Sequence, residues 1–188
     1  MVRKLPAVVA LASLWFSSLT GCVTQSPTIK ASDSLSQQPL DKRPGLSKLS
    51  SAELPPLRQG QVIYVPIYSE IYDLNPERTF PITATLSLRN TDLTYPIVIE
   101  TIDYYNSAGE TIRAYLDQPL KLAPLTSFEV VVPRDDKTGG AGANFIVVWR
   151  AADSVSAPVV EAIMISTTSQ QGISFVSPGR VIEDRSAE

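Results

Sequence analysis

The chain reads as all-β, an antiparallel immunoglobulin-like β-sandwich of about seven to eight strands preceded by a signal peptide and a flexible linker. Two observations carry that expectation. From about residue 60 onward, short apolar/polar alternations recur at intervals separated by turn residues, the mark of half-buried strands. No stretch there repeats its apolar residues at the 3.6-residue period of a long helix. About 120 residues of this kind bury roughly two thirds of the unfolded chain's surface, enough for independent folding.

The first element is an address. Arg3 and Lys4 precede an apolar run of twelve residues, LPAVVALASLWF, and SSLTGC follows it. A positive start, a short apolar core and small residues define a secretory signal, placed here at residues 1–21. The competing reading, an uncleaved membrane anchor over Leu5–Val23, is diluted by Ser13, Ser17, Ser18 and Thr20. Leu19-Thr20-Gly21-Cys22 resembles the bacterial lipobox. That resemblance implies diacylglycerol on the sulfur of Cys22, cleavage before it and a palmitate-type acylation of the new terminus. Two acyl chains suffice for stable anchoring. Cys22 is the one cysteine of the chain, so no free thiol and no internal disulfide remain. Val23 stands where an Asp retains Gram-negative lipoproteins at the inner membrane, so the periplasmic face of the outer membrane is favoured. Cleavage leaves 14 basic against 19 acidic residues, and the acyl chains rather than surface charge then hold the protein.

Residues 22–59 are rich in Ser, Pro, Gln and Leu without an apolar period, and read as a flexible linker. Ser50 and Glu53 have capping-box spacing, but Pro55 and Pro56 stop a helix. Leu46, Leu49 and Leu54 are available to dock on the domain.

The domain is expected over 60–183, with 184–188 as a tail. Its strands are Val62–Tyr68, Ile82–Arg89, Pro96–Tyr105, Thr111–Leu116, Ser127–Val132, Asn144–Ala151, Val159–Ser166 and Ile173–Val176. Ile82, Ala84, Leu86 and Leu88 give the clearest dry face, alternating with Thr83, Thr85, Ser87 and Arg89. Asn90-Thr91-Asp92 and Asn106-Ser-Ala-Gly109 supply turns. Pro66 assigns the first strand to a sheet edge or a bulge.

Composition closes several chemistries. Histidine is absent, which removes imidazole acid/base catalysis, the usual Ser-His and Cys-His nucleophiles and nearly every zinc site. None of the six lysines follows a serine at Ser-x-x-Lys spacing. The net charge of −3 and the lack of a basic cluster speak against nucleic acid. Asp135-Asp-Lys-Thr-Gly-Gly-Ala-Gly-Ala-Asn-Phe145 is neither a P-loop nor a dinucleotide fingerprint, because Lys137 precedes the glycines and a strand follows them. Adjacent acids also lack the spacing of a calcium loop. The plain reading is a flexible hairpin loop with glycines at positive φ; the other is an anion or glycan site built on backbone amides. Ser169–Phe175, with Gln170 and Gln171, is either a polar recognition surface or a set of loop-satisfying amides.

VIYVPIYSEIY, ATLSLRNTD, IDYYNSAG, GGAGANFIVVW and SQQGISFVSPGRVI, spanning Gln61 to Ile182, resemble domain-of-unknown-function family 3124, a family of bacterial lipoproteins. The resemblance implies an exported or lipid-anchored domain with no established activity, so it transfers no catalytic residue. A shared surface is expected at Gly139–Phe145 and at Ser169–Phe175 with Arg180.

The functional expectation is a non-enzymatic envelope lipoprotein, without cofactor or metal, whose domain acts in protein interaction or envelope structure. The alternative is a module binding a glycan, peptidoglycan fragment or anion. Its candidate residues are Asn144, Gln170, Gln171 and Arg180.

Overall fold

Strands dominate because β-branched and aromatic residues alternate with polar ones through most of the domain, and each alternating strand has one face to bury. The computed structural model describes residues 38–167 and 172–185. The signal, Cys22, Gln170 and Gln171 lie outside the described residues. Among the described residues thirteen strands are present, grouped in two main antiparallel sheets and one hairpin.

The first sheet contains β1 (Leu46–Lys48), β2 (Gln59–Pro66), β6 (Ile97–Tyr105), β7 (Thr111–Ala114), β8 (Leu120–Leu122), β10 (Asn144–Ala151) and β13 (Arg180–Asp184). Its order is β1-β8-β6-β10-β2-β13, with β7 beside β8 on the same edge of β6. The second sheet has the order β12-β11-β5-β9, formed by Ile173–Pro178, Val159–Ser166, Thr83–Arg89 and Ser127–Val132. β3 (Glu70–Asp73) and β4 (Asn75–Pro81) pair as a separate hairpin.

The inner faces of the two sheets form one core. Ala84, Leu86, Leu88, Val132, Ala162 and Met164 meet Val65, Ile99, Ile102, Tyr104, Phe145, Val147 and Trp149. The alternation expected for Ile82, Ala84, Leu86 and Leu88 is present: all four are fully buried. Trp149 is enclosed, and its indole N–H donates to Gln61 Oε1 at 3.3 Å. Among the described residues no helix is long and apolar enough to cross a membrane.

β12 and β13 are one length of chain that passes from the second sheet to the first. Gly179 makes the passage, its N–H donating to Val160 O at 2.8 Å. A Cβ there would stand 2.6 Å from Ile63 Cγ2 and 2.7 Å from Val160 O, so only glycine admits the approach.

Two expectations need correction. Pro66 does not mark an edge strand: β2 lies between β10 and β13. Proline is tolerated because it is the last residue of β2, beyond the β13 pairing, which reaches only to Tyr64. The second concerns the linker, which is structured from Leu40 onward. Leu40–Lys42 is a 3-10 turn, Gly45 has φ +81, and Leu46 enters the core as the first residue of β1. One buried leucine and a three-residue pairing with β8 suffice. Residues 49–58 then strap across the outside of the first sheet. Leu49 N–H donates to Pro119 O at 2.8 Å, Arg150 Nη2 to Leu57 O at 2.7 Å, and Arg58 N–H to Ala151 O at 2.8 Å. The capping-box residues close a turn rather than a helix: Ser50 N–H and Oγ both donate to Glu53 Oε2, at 2.8 and 2.7 Å.

Candidate functional site

The glycine loop between β9 and β10 crosses one end of the sandwich, and three neighbouring segments hold it. Ser69, before β3, donates its N–H and its hydroxyl to Gly140 O, at 3.2 and 3.1 Å. Ser107, in the β6–β7 turn, donates its N–H and its hydroxyl to Gly139 O, both at 3.0 Å. Ser107 Oγ in turn accepts Gly142 N–H at 2.9 Å. Gly140 alone among the three glycines has positive φ, at +73°. Gly139 is required for closeness instead: a Cβ there would run into the Tyr104 hydroxyl.

The expected flexible loop is therefore a fastened cap. The reason lies in serines 32 to 71 residues away from their acceptors in sequence, which no local reading of the loop could weigh. The Gly140 and Gly142 amides, candidates for an anion site, are engaged within the fold, on Lys137 O and Ser107 Oγ.

Beside the cap, Asp136 accepts Thr138 N–H and Arg113 Nη2, each at 3.1 Å, and the Thr138 hydroxyl. Partial burial works to raise its pKa, but the Thr138 and Arg113 donors outweigh this and hold the carboxyl below its ordinary value. Arg113 Nη1 also reaches Tyr115 Oη at 2.9 Å, over a ring 5.7 Å from Phe145. Tyr104 is fully buried, its ring 5.2 Å from Phe145. Its hydroxyl makes no well-aligned hydrogen bond, although the Ser69 hydroxyl, which donates to Gly140 O, lies close enough to act on it. Burial pushes the Tyr104 phenol up. Beneath Gly139 the Tyr104 ring and Ala143 are packed too closely to admit even a Cβ.

Asn144 and Arg180 do share a surface, the outer face of the first sheet. Arg180 stands opposite Tyr64 and Asn144 opposite Pro66, with β2 between them. Two strand spacings and two residues of offset separate them by about 12 Å. Tyr64, Asp103, Tyr105 and Ile146 occupy the same face, all half-buried. Arg180 is exposed and Asn144 half-buried. Thr167 and Gly172, which flank the undescribed residues 168–171, follow Ser166 and precede Ile173, the paired ends of β11 and β12.

Two further surfaces escaped the sequence reading. At the far end of the sandwich the strap roofs a cavity of about 300 Å³ over Val98 and Lys121, walled by Leu49, Pro55 and Pro96. The other is the outer face of the second sheet. Register aligns Val131, Thr85, Ile163 and Val176 in one row across β9, β5, β11 and β12. Ile165 and Val159 flank that row, above and below it. Val131, Val176, Ile165 and Val159 are exposed at 49%, 55%, 43% and 43%. The charges on this face neutralise one another: Arg89 Nη2 lies 3.9 Å from Glu161 Oε1, and Arg43 Nη1 lies 3.5 Å from Glu129 Oε1. The signal was present in the residues that alternate away from the core, where Val131, Val159, Ile163, Ile165 and Val176 are interspersed with Thr83, Thr85, Ser87, Arg89, Ser127, Glu129, Glu161 and Ser174.

These features define an all-β sandwich domain with one fastened end, one strapped face and one open apolar face. The chain belongs to the family described as "Protein of unknown function (DUF3124)", whose model matches residues 60–182. No curated protein matches the chain. A solved structure, the crystal structure of Thermotoga maritima 1070, is similar over 64% of this chain and 92% of that one, at 10% identity and a TM-score of 0.37.

Proposed function

We propose that this is a lipid-anchored protein of the bacterial envelope, tethered through Cys22 and facing the periplasm from the outer membrane. Its sandwich serves as a non-enzymatic protein-interaction or envelope-structural module. The observation that carries the interaction reading is the apolar, charge-neutralised outer face of the second sheet. Val131, Val159, Ile165 and Val176 on that face are each exposed by more than two fifths, and clustered exposed apolar side chains commonly mark contact surfaces. The lipobox resemblance at Leu19–Cys22 supports the anchor, and the absence of histidine supports a role without catalysis.

The alternative, ligand binding through residues 139–145 and 169–175, draws less support. The Gly140 and Gly142 amides are engaged internally, and Asn144 and Arg180 stand about 12 Å apart.

Two arms of one experiment test the reading. Labelled palmitate should enter the wild type and not Cys22→Ser, whose precursor should persist at higher mass; equal labelling of both removes the anchor. Crosslinking in intact cells should trap a protein with the wild type and lose it with Val131→Lys. A trapped species indifferent to that substitution removes the face.

A further inference from the structure

We propose that the outer face of the second sheet docks a second copy of this chain, face to face across a two-fold axis. The proposal rests on the interaction reading above and names its partner.

The sheet itself supplies the complementarity. A two-fold axis running along the strands between β5 and β11 lays β9 over β12 of the second copy and β5 over β11. Val131 then packs on Val176 of the second copy, and Thr85 on Ile163. Each contact occurs twice, as an isologous interface requires. β-branched residues of this kind interdigitate well between stacked sheets about 10 Å apart. Charge permits the approach. Arg89 is paired with Glu161 and Glu129 with Arg43 inside one copy, so the face presents no unpaired cation or anion to its mirror partner. A strongly charged partner would find no counter-charge there.

The area fits a reversible contact. Four strands spaced at about 4.8 Å and some six residues deep cover roughly 400 Å². With side-chain relief, the two copies together bury about 1,000 Å², the lower limit for a specific interface. The chain joins the described residues at Gln38, whose carbonyl accepts Arg43 Nε at 2.9 Å, beside the β9 rim of this face.

A charge exchange tests the register. The mature lipidated protein, solubilised in a non-ionic detergent, is examined by sedimentation velocity up to millimolar concentration, with circular dichroism to confirm folding. Val131 and Val176 are about half exposed, so charged replacements there should leave the fold intact. Val131→Lys alone and Val176→Glu alone should each weaken self-association at least about tenfold, because each buries an unpaired charge twice. The double variant should return to within about threefold of the wild type, since each Lys then faces a Glu of the other copy. Within one copy the two positions are three strands apart, about 14 Å, so the rescue cannot arise internally.

A wild type that stays monomeric at millimolar concentration overturns the proposal, as does self-association unaffected by the single variants. Singles that dissociate without rescue in the double overturn the two-fold register. If the wild type is monomeric while Val131→Lys still loses a different protein in cells, the interaction reading stands with another occupant. If neither contact exists, both readings fall.

Discussion

Tyr104 and Gly139 give the sharpest test of the cap. The Tyr104 ring is wholly enclosed, and its hydroxyl oxygen makes no aligned hydrogen bond. A buried hydroxyl without a partner costs about 1–3 kcal/mol relative to water. Tyr104→Phe removes that cost and leaves a void the size of one oxygen, so the expected net effect is a gain of about 1 kcal/mol. Gly139→Ala works the other way. Its Cβ would meet the Tyr104 hydroxyl, Ala143 Cβ at 2.7 Å and Tyr104 Cζ at 2.8 Å. Overpacking of this degree costs about 2–3 kcal/mol. In the double variant the oxygen is gone, but Cζ and Ala143 remain, so relief is partial. A coupling of about 1 kcal/mol is expected between the two substitutions. Urea denaturation of the four proteins, fitted with a common slope, measures all three quantities; on heating, 1 kcal/mol corresponds to about 3 °C for a domain of this size. If Tyr104→Phe lowers stability by more than 1 kcal/mol, the hydroxyl has a partner and the reasoning fails. Strict additivity of the two changes would fail it equally.

Two other substitutions probe buried polar groups. Asn90 is 2% exposed, and its Nδ2 donates to Tyr95 O, Leu122 O and Ala123 O at 2.9, 3.2 and 3.1 Å. Asn90→Ala should cost about 3 kcal/mol, and Asn90→Asp as much at neutral pH because a carboxylate offers those carbonyls no donor; a urea-derived loss below 1 kcal/mol would refute this. Asp136 has a depressed carboxyl pKa in the fold. The unfolded chain therefore binds the proton more readily, so the stability due to Asp136 is complete above the ordinary carboxylate value of about 3.9 and disappears as pH falls through the folded value. Asp136→Asn should cost about 2 kcal/mol at pH 7 and flatten the acid limb of stability against pH; an unchanged acid limb contradicts the Arg113 and Thr138 assignment.

Much of the fold was legible because strand alternation is local. Ser127–Val132, Asn144–Ala151 and Val159–Ser166 have the bounds their residue patterns suggest. The elements that were missed are short or carry no alternation. β1 and β8 have three residues each, and β4 contains prolines at its second and last positions. β13 is exposed along its whole length, so nothing in its residues marks one face for burial. Asn90 read as a turn residue, as its type suggests, yet it is the buried amide that ties the end of β5 to the β8–β9 connection. The candidate site was less legible. Asn144 and Arg180 reach one face only because β13 returns to pair with β2, a long-range event without local signature. Ser69 and Ser107 fasten the glycine loop from distant turns for the same reason.

The edges of the molecule bear on which surface can meet a partner. Unpaired sheet edges invite strand addition, and four edges here, at β12, β13, β1 and β9, are blunted. β12 ends in Pro178, which offers no N–H, and the chain then bends at Gly179. β13 carries Arg180, Glu183 and Asp184 and is bulged between Val181 and Glu183. β1 is three residues long, and Lys48 Nζ lies 2.6 Å from Asp117 Oδ1 at its end. At β9, Arg43 lays its guanidinium against Glu129. Protection of this kind resists indiscriminate pairing through the backbone. The outer face of the second sheet has no comparable protection: no strap crosses it among the described residues, and its charges are cancelled rather than displayed. On the reading proposed above, a chain that guards these four edges and leaves Val and Ile side chains exposed on one face makes contact through side chains, and Val131 and Val176 are where that contact would be broken and restored.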